Sequence, residues 1–257
     1  MNTQLIALQL WSVREFFTPD YKDTVRKVAA MGYKGVEFAG GYGGMTAPEL
    51  KAFLDECGLQ PVGSHVPYGD LLGKMDEVIE YHLTVGNRYI VCPGAPLKTK
   101  DDFFAVRDNF NRFGEQCKKS GLLFGYHNHA HEFQSFDGQV GYDILVEGTD
   151  PDLVFYEMDT CWVQVGGYDP VDYCKKYPGR FKLCHIKDYL NERNEKGHVV
   201  QTDIGKGEMD FKKVIPALKE NGCHYLIIEQ EGGVGPAIGY VAESFKNLKK
   251  ILEEIGL

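Results

Sequence analysis

The sequence predicts an α/β fold, a single-domain (β/α)8 barrel of the TIM type that spans residues 1–257. Three observations support this prediction. An amphipathic helix, a glycine and a short apolar run return about every thirty residues, there are eight such runs, and 257 residues with 43% hydrophobic side chains suffice for one large core. Because strands and helices alternate, we expect parallel strands joined by right-handed connections.

The eight apolar runs predict the strands in chain order. Runs such as YIVC and YLIIE are apolar on both faces, as expected of parallel strands covered by helices outside and by side chains inside. The runs are LIALQLWS, MGYKGVEFAG, CGLQPVGSHV, VGNRYIVCPG, SGLLFGYHNH, PDLVFYEMDT, PGRFKLCHIKD and NGCHYLIIEQE.

The helices between these runs have their own start signals. Thr46 with Glu49 predicts a capping box, Asp169 before Pro170 predicts an N-cap with a first-turn proline, and Asp210 opens FKKVIPALKE. An open doubly wound sheet is disfavoured, because no GxGxxG follows the first strand and no GxxxxGK[ST] occurs. The glycine-rich AGGYGGM segment, residues 39–45, is predicted to be a mobile loop over the barrel mouth.

Composition excludes several classes of partner. The formal net charge of -9 provides no basic surface for nucleic acid, and no stretch reaches the roughly 20 apolar residues of a membrane helix. The start, MNTQLIALQLWSVREFF, lacks the features of a secretory signal, so a cytoplasmic protein is predicted. Seven cysteines without a CxxC pair predict reduced thiols. The oligomeric state, a homo-oligomer included, stays open.

Ionisable side chains close most of the predicted strands, at the end of the barrel where active sites lie. Because alternate residues of a strand face the same way, His127 and His129 share a face, as do His185 and Lys187. Mixed carboxylate and imidazole groups without thiolates suit a catalytic Mn²⁺, Mg²⁺, Co²⁺ or Zn²⁺ ion rather than a closed structural zinc site. The strand-end residues are Glu37, His65, His127, His129, Glu132, Glu157, Asp159, His185, Lys187, Asp188, Glu229 and Glu231.

Six stretches of the chain resemble the xylose isomerase-like TIM barrel superfamily, which includes sugar isomerases and epimerases, inosose dehydratases and, more distantly, endonuclease IV. The similarity follows the chain from end to end. The stretches are LQLWSVR, MGYKGVEFAG, YHNHAHEF, MDTCWV, HIKD and IIEQE.

The resemblance implies one divalent ion, with Mn²⁺ expected first, held by four residues from strands five to eight. Asp159, His185 and Glu229 match three of these positions. At the fourth, where ketose epimerases have a glutamate, this chain places His127, with Glu132 five residues later. Either could complete the set, and Glu132 is favoured because a carboxylate would help to neutralise the ion. The expected metal ligands are therefore Glu132, Asp159, His185 and Glu229.

The resemblance also implies a reaction in which a proton is removed next to a carbonyl of a carbohydrate or cyclitol, through a metal-stabilised enediolate. The leading prediction is a metal-dependent sugar isomerase or epimerase. A lyase acting on an inosose or a 3-keto-glycoside, and a non-catalytic sugar-binding barrel, are the alternatives. Ketose epimerases have a histidine where this chain has Trp162, which weakens the epimerase reading.

Each candidate residue has an expected role. Glu132 or Glu229 is the expected base, and His127 with His129 is the alternative acid/base pair. Lys187 is expected to stabilise an oxyanion or to pair with Asp188. The substrate contacts are predicted to be Glu37, His65 and Trp162, the last as a wall against a sugar ring.

Overall fold

The computed structural model describes residues 6–232 and 236–257, and it confirms the predicted barrel. Each parallel strand lies between its two sequence neighbours, and the last strand closes on the first. The predicted absence of a secretory signal concerns a segment whose first five residues lie outside the described part. The barrel strands are β1 (Ile6–Gln9), β2 (Gly35–Phe38), β3 (Gln60–His65), β4 (Tyr89–Cys92), β5 (Leu123–His127), β6 (Val154–Asp159), β7 (Phe181–Ile186) and β8 (Tyr225–Ile228).

Helices cover the outside of the barrel. The capping box of Thr46 and Glu49 is present, and Asp169 accepts the backbone N–H of Val171 at 2.7 Å. Asp210 precedes its helix but forms no side-chain capping bond there. The helices are α1 (Phe17–Ala30), α2 (Ala47–Cys57), α3 (Tyr68–Gly73), α4 (Met75–Val85), α5 (Lys100–Lys119), α6 (Gly141–Gly148), α7 (Thr160–Val165), α8 (Pro170–Lys176), α9 (Phe211–Asn221) and α10 (Ala237–Glu254). None of these helices is long and apolar enough to span a membrane.

Two small hairpins follow barrel strands and were absent from the sequence prediction. After β5, Ser135–Phe136 pairs with Gln139–Val140, and after β7, Asp188–Arg193 pairs with Val199–Thr202. The second hairpin extends β7 beyond the barrel rim, so it borders the C-terminal mouth.

Apolar side chains fill two separate layers. The larger layer lies between the strands and the surrounding helices. The smaller one fills the lower part of the barrel interior, where Gly125 leaves the space that the Phe155 ring occupies. Its fully buried members include Ala7, Val62, Val91, Phe155, Leu183 and Ile227. Above this apolar floor, ionisable side chains replace apolar ones in the barrel interior.

Candidate active site

Four ionisable side chains converge at the C-terminal ends of β5, β6, β7 and β8, as the strand-end pattern predicts. Each offers one donor atom, and these atoms lie within 4.8 Å of one another. The strand register brings Asp159 level with His185, so the parallel sheet itself produces the convergence. All four side chains are buried. We call this set the upper group: His127, Asp159, His185 and Glu229.

The two oxygens of the Asp159 carboxylate have different neighbours. Its Oδ1 accepts the backbone N–H of Trp162 at 2.9 Å, which caps α7, and its Oδ2 lies 3.6 Å from His127 Nε2. Burial, with neighbouring imidazoles, holds the pKa of His127 well below its usual range, so that ring is neutral. Neither ring nitrogen of His127 has a hydrogen-bond partner within the described residues.

A second set of four side chains shares His185 with the upper group. His185 Nδ1 lies 3.0 Å from Glu229, whereas its Nε2 lies 2.7 Å from Glu37 Oε2 and 3.3 Å from Glu157. His65 Nε2 contacts Glu157 at 2.7 Å. We call this set the lower group: Glu37, His65, Glu157 and His185.

Glu37 is more deeply buried than its predicted role as a substrate contact requires. Its carboxylate has no exposed surface, accepts an N–H from the Gln9 side chain at 2.8 Å, and faces Gly63, where any Cβ atom would overlap it. Burial, and then repulsion by Glu157, raises the pKa of Glu37 to about 7. Glu37 therefore supports His185 from within the barrel instead of lining a cavity.

Lys187 lies among three carboxylates. Its ammonium lies 3.1 Å from Asp159, 2.7 Å from Glu229 and 2.9 Å from Glu231. Burial opposes its charge, but these carboxylates together raise the pKa of Lys187 well above its usual value. Within the described residues, the contact with Glu231 is the one that has hydrogen-bond geometry, so the ammonium is surrounded by carboxylates without all three of its donors being engaged. The expected pairing with Asp188 does not form, because Asp188 accepts backbone N–H groups of residues 189, 205, 207 and 209.

The charges of the site fit a divalent cation. Four carboxylates, those of Glu37, Glu157, Asp159 and Glu229, are at most 6% exposed, and Lys187 is the one buried lysine among the described residues. Buried charges are costly unless they are paired or bound to metal. The unpartnered ring nitrogens of neutral His127 and the mixture of two imidazoles and two carboxylates in the upper group are compatible with a Mn²⁺, Co²⁺ or Zn²⁺ ion.

Glu132, the expected fourth ligand, lies outside both groups. Its carboxylate accepts a hydrogen bond from the Tyr126 hydroxyl and another from the backbone N–H of His129 at 2.9 Å. Tyr126 points away from the barrel axis, because it alternates with the inward-facing His127 along β5. Glu132 thus anchors the loop after β5, and His127 occupies the position beside the other three residues.

A cavity of about 230 Å³ opens above the upper group, and its lining mixes rings and carboxylates. His65, His127, His129, Glu229 and Glu231 line it, so the prediction that His65 faces the substrate site agrees with its position. Trp162 is not part of this lining. Its ring lies 5.1 Å from Lys187 Nζ and 6.2 Å from the His129 ring.

Trp11 is a cavity residue that the sequence analysis did not single out. It follows β1 immediately, lines the cavity and leaves 38% of its surface exposed. Arg14 stacks on its ring at 4.6 Å. Its place at the end of an apolar run is the same sequence signal that identifies the other strand-end residues, but its side chain is aromatic instead of ionisable.

Comparison with known proteins finds several inosose dehydratases among the relatives of this chain. Inosose dehydratase from Geobacillus kaustophilus is 25% identical over 281 residues, covering 94% of this chain and 88% of that protein. Several other inosose dehydratases match over shorter stretches, and the chain spans about half the length of these curated relatives. These relatives agree with the prediction that the chain is an enzyme.

Solved structures share the fold. A sugar phosphate isomerase/epimerase from Parabacteroides distasonis has a TM-score of 0.83 and 28% identity, covering 97% of this chain and 94% of that one. An IolI protein with a bound zinc atom has a TM-score of 0.78 and 13% identity, covering 97% and 98%. The family model described as xylose isomerase-like TIM barrel matches residues 25–251. The chain belongs to the xylose isomerase-like TIM barrel family, as its motifs and its closed barrel indicate.

Proposed function

We propose that this chain is an enzyme that holds one divalent metal ion in the upper group and removes a proton next to a carbonyl of a carbohydrate or cyclitol. The observation that carries the proposal is the convergence of His127, Asp159, His185 and Glu229 below a cavity. Mn²⁺ is the first ion to test, followed by Co²⁺, Zn²⁺ and Mg²⁺. His127 replaces Glu132 in the predicted ligand set, for the geometric reason given above.

When bound, such an ion supplies Lewis acidity to a carbonyl oxygen and a neighbouring hydroxyl. The protein's own groups then have to move protons. His129 lines the cavity, and its buried Nδ1 has no hydrogen-bond partner within the described residues. Glu231 also lines the cavity and remains about one-third exposed. We assign proton transfer to His129 and Glu231, because both side chains reach the space that a substrate would occupy.

The lower group has a positioning role in this proposal. Both ring nitrogens of His185 face carboxylates, Nε2 that of Glu37 and Nδ1 that of Glu229. With an ion held by the upper group, Nδ1 would lose its proton and bind the ion, while Nε2 would continue to donate its N–H to Glu37. A carboxylate behind a metal-ligating histidine fixes its tautomer and orientation and raises its basicity. His65 and Glu157 form a second imidazole–carboxylate contact beside it. Lys187 keeps Asp159, Glu229 and Glu231 in place.

After proton removal, the fate of the substrate depends on which bond breaks next. We favour loss of a β-substituent, a lyase reaction, over the isomerisation that the sequence predicted first. Two observations support this choice: one inosose dehydratase matches 94% of the chain at 25% identity, and by the family resemblance Trp162 stands where ketose epimerases have a histidine. Isomerisation or epimerisation is the second candidate, supported by the 28% identical isomerase/epimerase of the same fold.

The test is an assay of the Mn²⁺-loaded protein with an inosose and a 3-keto-glucoside in D₂O, followed by proton NMR and ultraviolet absorbance. A conjugated ketone or diketone product indicates elimination, and deuterium in an unfragmented product indicates isomerisation. Metal-loaded protein that gives neither result would contradict the proposal and favour a binding protein.

Two loop variants connect that assay to the assigned residues. His129→Gln should lower the rate by about a hundredfold, because one proton carrier is lost. His131→Gln is the matched control, since His131 lies on the same loop with half of its side chain exposed and lines no part of the cavity. Equal rates for the two variants would remove His129 from the mechanism.

A further inference from the structure

A second cavity adjoins the proposed active site and has no role in the function described above. Its volume is about 520 Å³, more than twice that of the cavity above the upper group. It lies between the loop after β2, the end of β3 and the paired helices α3 and α4. The two cavities share the wall formed by Ala39, Gly40, His65 and Pro67. These shared residues place the second cavity, which we call the side cavity, directly beside the cavity over the upper group.

Aromatic rings form one wall of the side cavity. Tyr42 stacks on Tyr81 with ring centroids 4.4 Å apart, and Phe38 meets Tyr42 edge-on at 5.5 Å. The glycine-rich loop makes this possible, because Gly40, Gly41, Gly43 and Gly44 all adopt positive φ values and turn Tyr42 inward. The segment predicted as a mobile loop over the mouth thus supplies a wall of the side cavity.

The polar atoms of that wall are already paired with one another. His82 Nδ1 donates its N–H to the Val78 carbonyl at 2.6 Å, so Nε2 accepts the Tyr42 hydroxyl at 3.2 Å. The Ser64 hydroxyl then donates to the Tyr42 oxygen at 3.1 Å. At the rim, Lys74 pairs with Asp70 at 3.1 Å. Glu77, like Lys74, is an exposed charged residue of the lining, but the aromatic wall itself has few free hydrogen-bonding groups, so the side cavity favours an apolar, planar occupant over a hydroxylated ring.

We infer that the side cavity binds an aromatic or similarly flat apolar substituent carried by the same molecule whose carbohydrate or cyclitol ring occupies the cavity over the upper group. The substrate class is then a glycoside or another conjugate rather than a free sugar. This inference rests on the proposed function for the position of the carbohydrate ring. It concerns binding alone and does not depend on which bond breaks.

Binding of unreactive glycosides tests the inference separately from catalysis. Methyl glucoside and phenyl glucoside lack the carbonyl, so neither can react, and both are titrated against Mn²⁺-loaded protein by calorimetry. Phenyl glucoside should bind at least about tenfold more tightly than methyl glucoside, because the ring buries additional apolar surface. Equal affinities for the two compounds would overturn the inference. A disaccharide that binds as tightly as phenyl glucoside would also overturn it, since a second sugar ring would then be the occupant.

A variant that fills the side cavity provides the structural control. Val78→Trp places an indole in the side cavity from α4 and keeps the backbone carbonyl that His82 uses. It should reduce the affinity for phenyl glucoside to that for methyl glucoside, whereas Leu83→Trp, at an exposed position of the same helix, should change neither. Val78→Phe is the milder substitution if the indole impairs folding, which circular dichroism reports.

The two proposals fail in distinguishable ways. No turnover of 3-keto-glycosides, with the preference for phenyl glucoside intact and abolished by Val78→Trp, would contradict the proposed reaction and support the side cavity. Turnover of these substrates, with equal affinities for phenyl glucoside and methyl glucoside, would support the proposed reaction and contradict the inference about the side cavity. An unchanged preference in Val78→Trp would overturn the assignment to the side cavity.

Discussion

The barrel interior has two ends built by the same strands with opposite chemistry. On β6, Phe155 lies in the apolar floor and Asp159 in the upper group, and on β7, Leu183 and His185 show the same change two residues apart. The apolar floor has no charged side chain. The upper end of the interior, which contains both the upper group and the lower group, holds four buried carboxylates, three imidazoles and the buried ammonium of Lys187. A few residues along one strand separate the apolar floor, which stabilises the fold, from the ionisable layer of the proposed active site.

This difference shows how the barrel tolerates its active site. Breaking a buried ion pair is costly, but forming one gives little net stability, because both ions lose their hydration. The upper end therefore contributes little to folding until a cation binds there. We expect substitutions at the two ends to separate stability from metal binding.

Removing a ligand of the upper group should have the largest effect. We expect Asp159→Asn and His127→Ala to abolish near-stoichiometric Mn²⁺ binding, measured by elemental analysis after dialysis, and with it any turnover. The control is Asp143→Asn, because Asp143 is a mostly buried carboxylate paired with Lys176 at 2.7 Å, away from the barrel interior. Undiminished metal in both upper-group variants would rule out this site.

A substitution in the apolar floor should lower the stability of the fold and leave metal binding unchanged. Phe155→Ala leaves a cavity among tightly packed side chains, so we expect the free energy of unfolding to fall by about 3–5 kcal/mol in guanidinium titrations. The metal content of the protein that remains folded should be unchanged. Phe104→Ala, at a partly buried position on α5, should cost less. Loss of metal from well-folded Phe155→Ala would show that the two ends are not independent.

Metal itself should stabilise the protein through the upper end. A ligand that binds only the folded state at about 100 times its Kd adds about 2.7 kcal/mol, which should raise the melting temperature by roughly 5–10 °C. Mn²⁺ should produce this shift in the wild type and in Phe155→Ala, a chelator should reverse it, and Asp159→Asn should not respond. A shift of equal size in Asp159→Asn would place the ion elsewhere.

Glu37 provides a smaller and more specific test of the supporting role. Glu37→Gln keeps a hydrogen-bond acceptor for His185 but removes the charge, so we expect metal affinity to fall about tenfold. The affinity is measured by competition with a fluorescent chelator. Glu56→Gln, at an exposed position paired with Arg26, is the control. If Glu37→Gln lowered only the melting temperature and left the affinity unchanged, its role would be structural.

The fold was predictable from the sequence because it depends on repetition. Apolar runs such as YIVC are read directly from the chain, and alternation then determines which strand-end side chains face inward. The convergence of Asp159, His185 and Glu229 follows from that parity and from parallel strands. The first hairpin was missed because its strands have only two residues each, and the second because its strands are mostly polar and partly exposed.

The alternation of side chains along a strand does not predict the path of the chain after the strand ends. Glu132 lies five residues beyond His127, in a short 3₁₀ turn (His131–Phe133) that directs it back to Tyr126. Lys187 was expected to stabilise an oxyanion or to pair with Asp188, and in the structure three carboxylates from β6 and the segment after β8 surround it. Such contacts depend on distances across the barrel, which periodicity does not encode. The side cavity is formed by a loop and two helices, and it could not be predicted from the sequence for the same reason.

Glu132→Gln should have the smallest effect on the metal site and distinguishes the two candidates for the fourth ligand. The carboxylate accepts hydrogen bonds from the Tyr126 hydroxyl and the His129 backbone, and a glutamine amide retains one acceptor oxygen for them. We expect the free energy of unfolding to decrease by about 1 kcal/mol and the metal content to stay at the wild-type level. The measurement pairs elemental analysis with guanidinium unfolding, beside His127→Ala. Metal lost from Glu132→Gln but kept by His127→Ala would reverse the assignment, and it would require the loop after β5 to turn Glu132 inward when the ion binds.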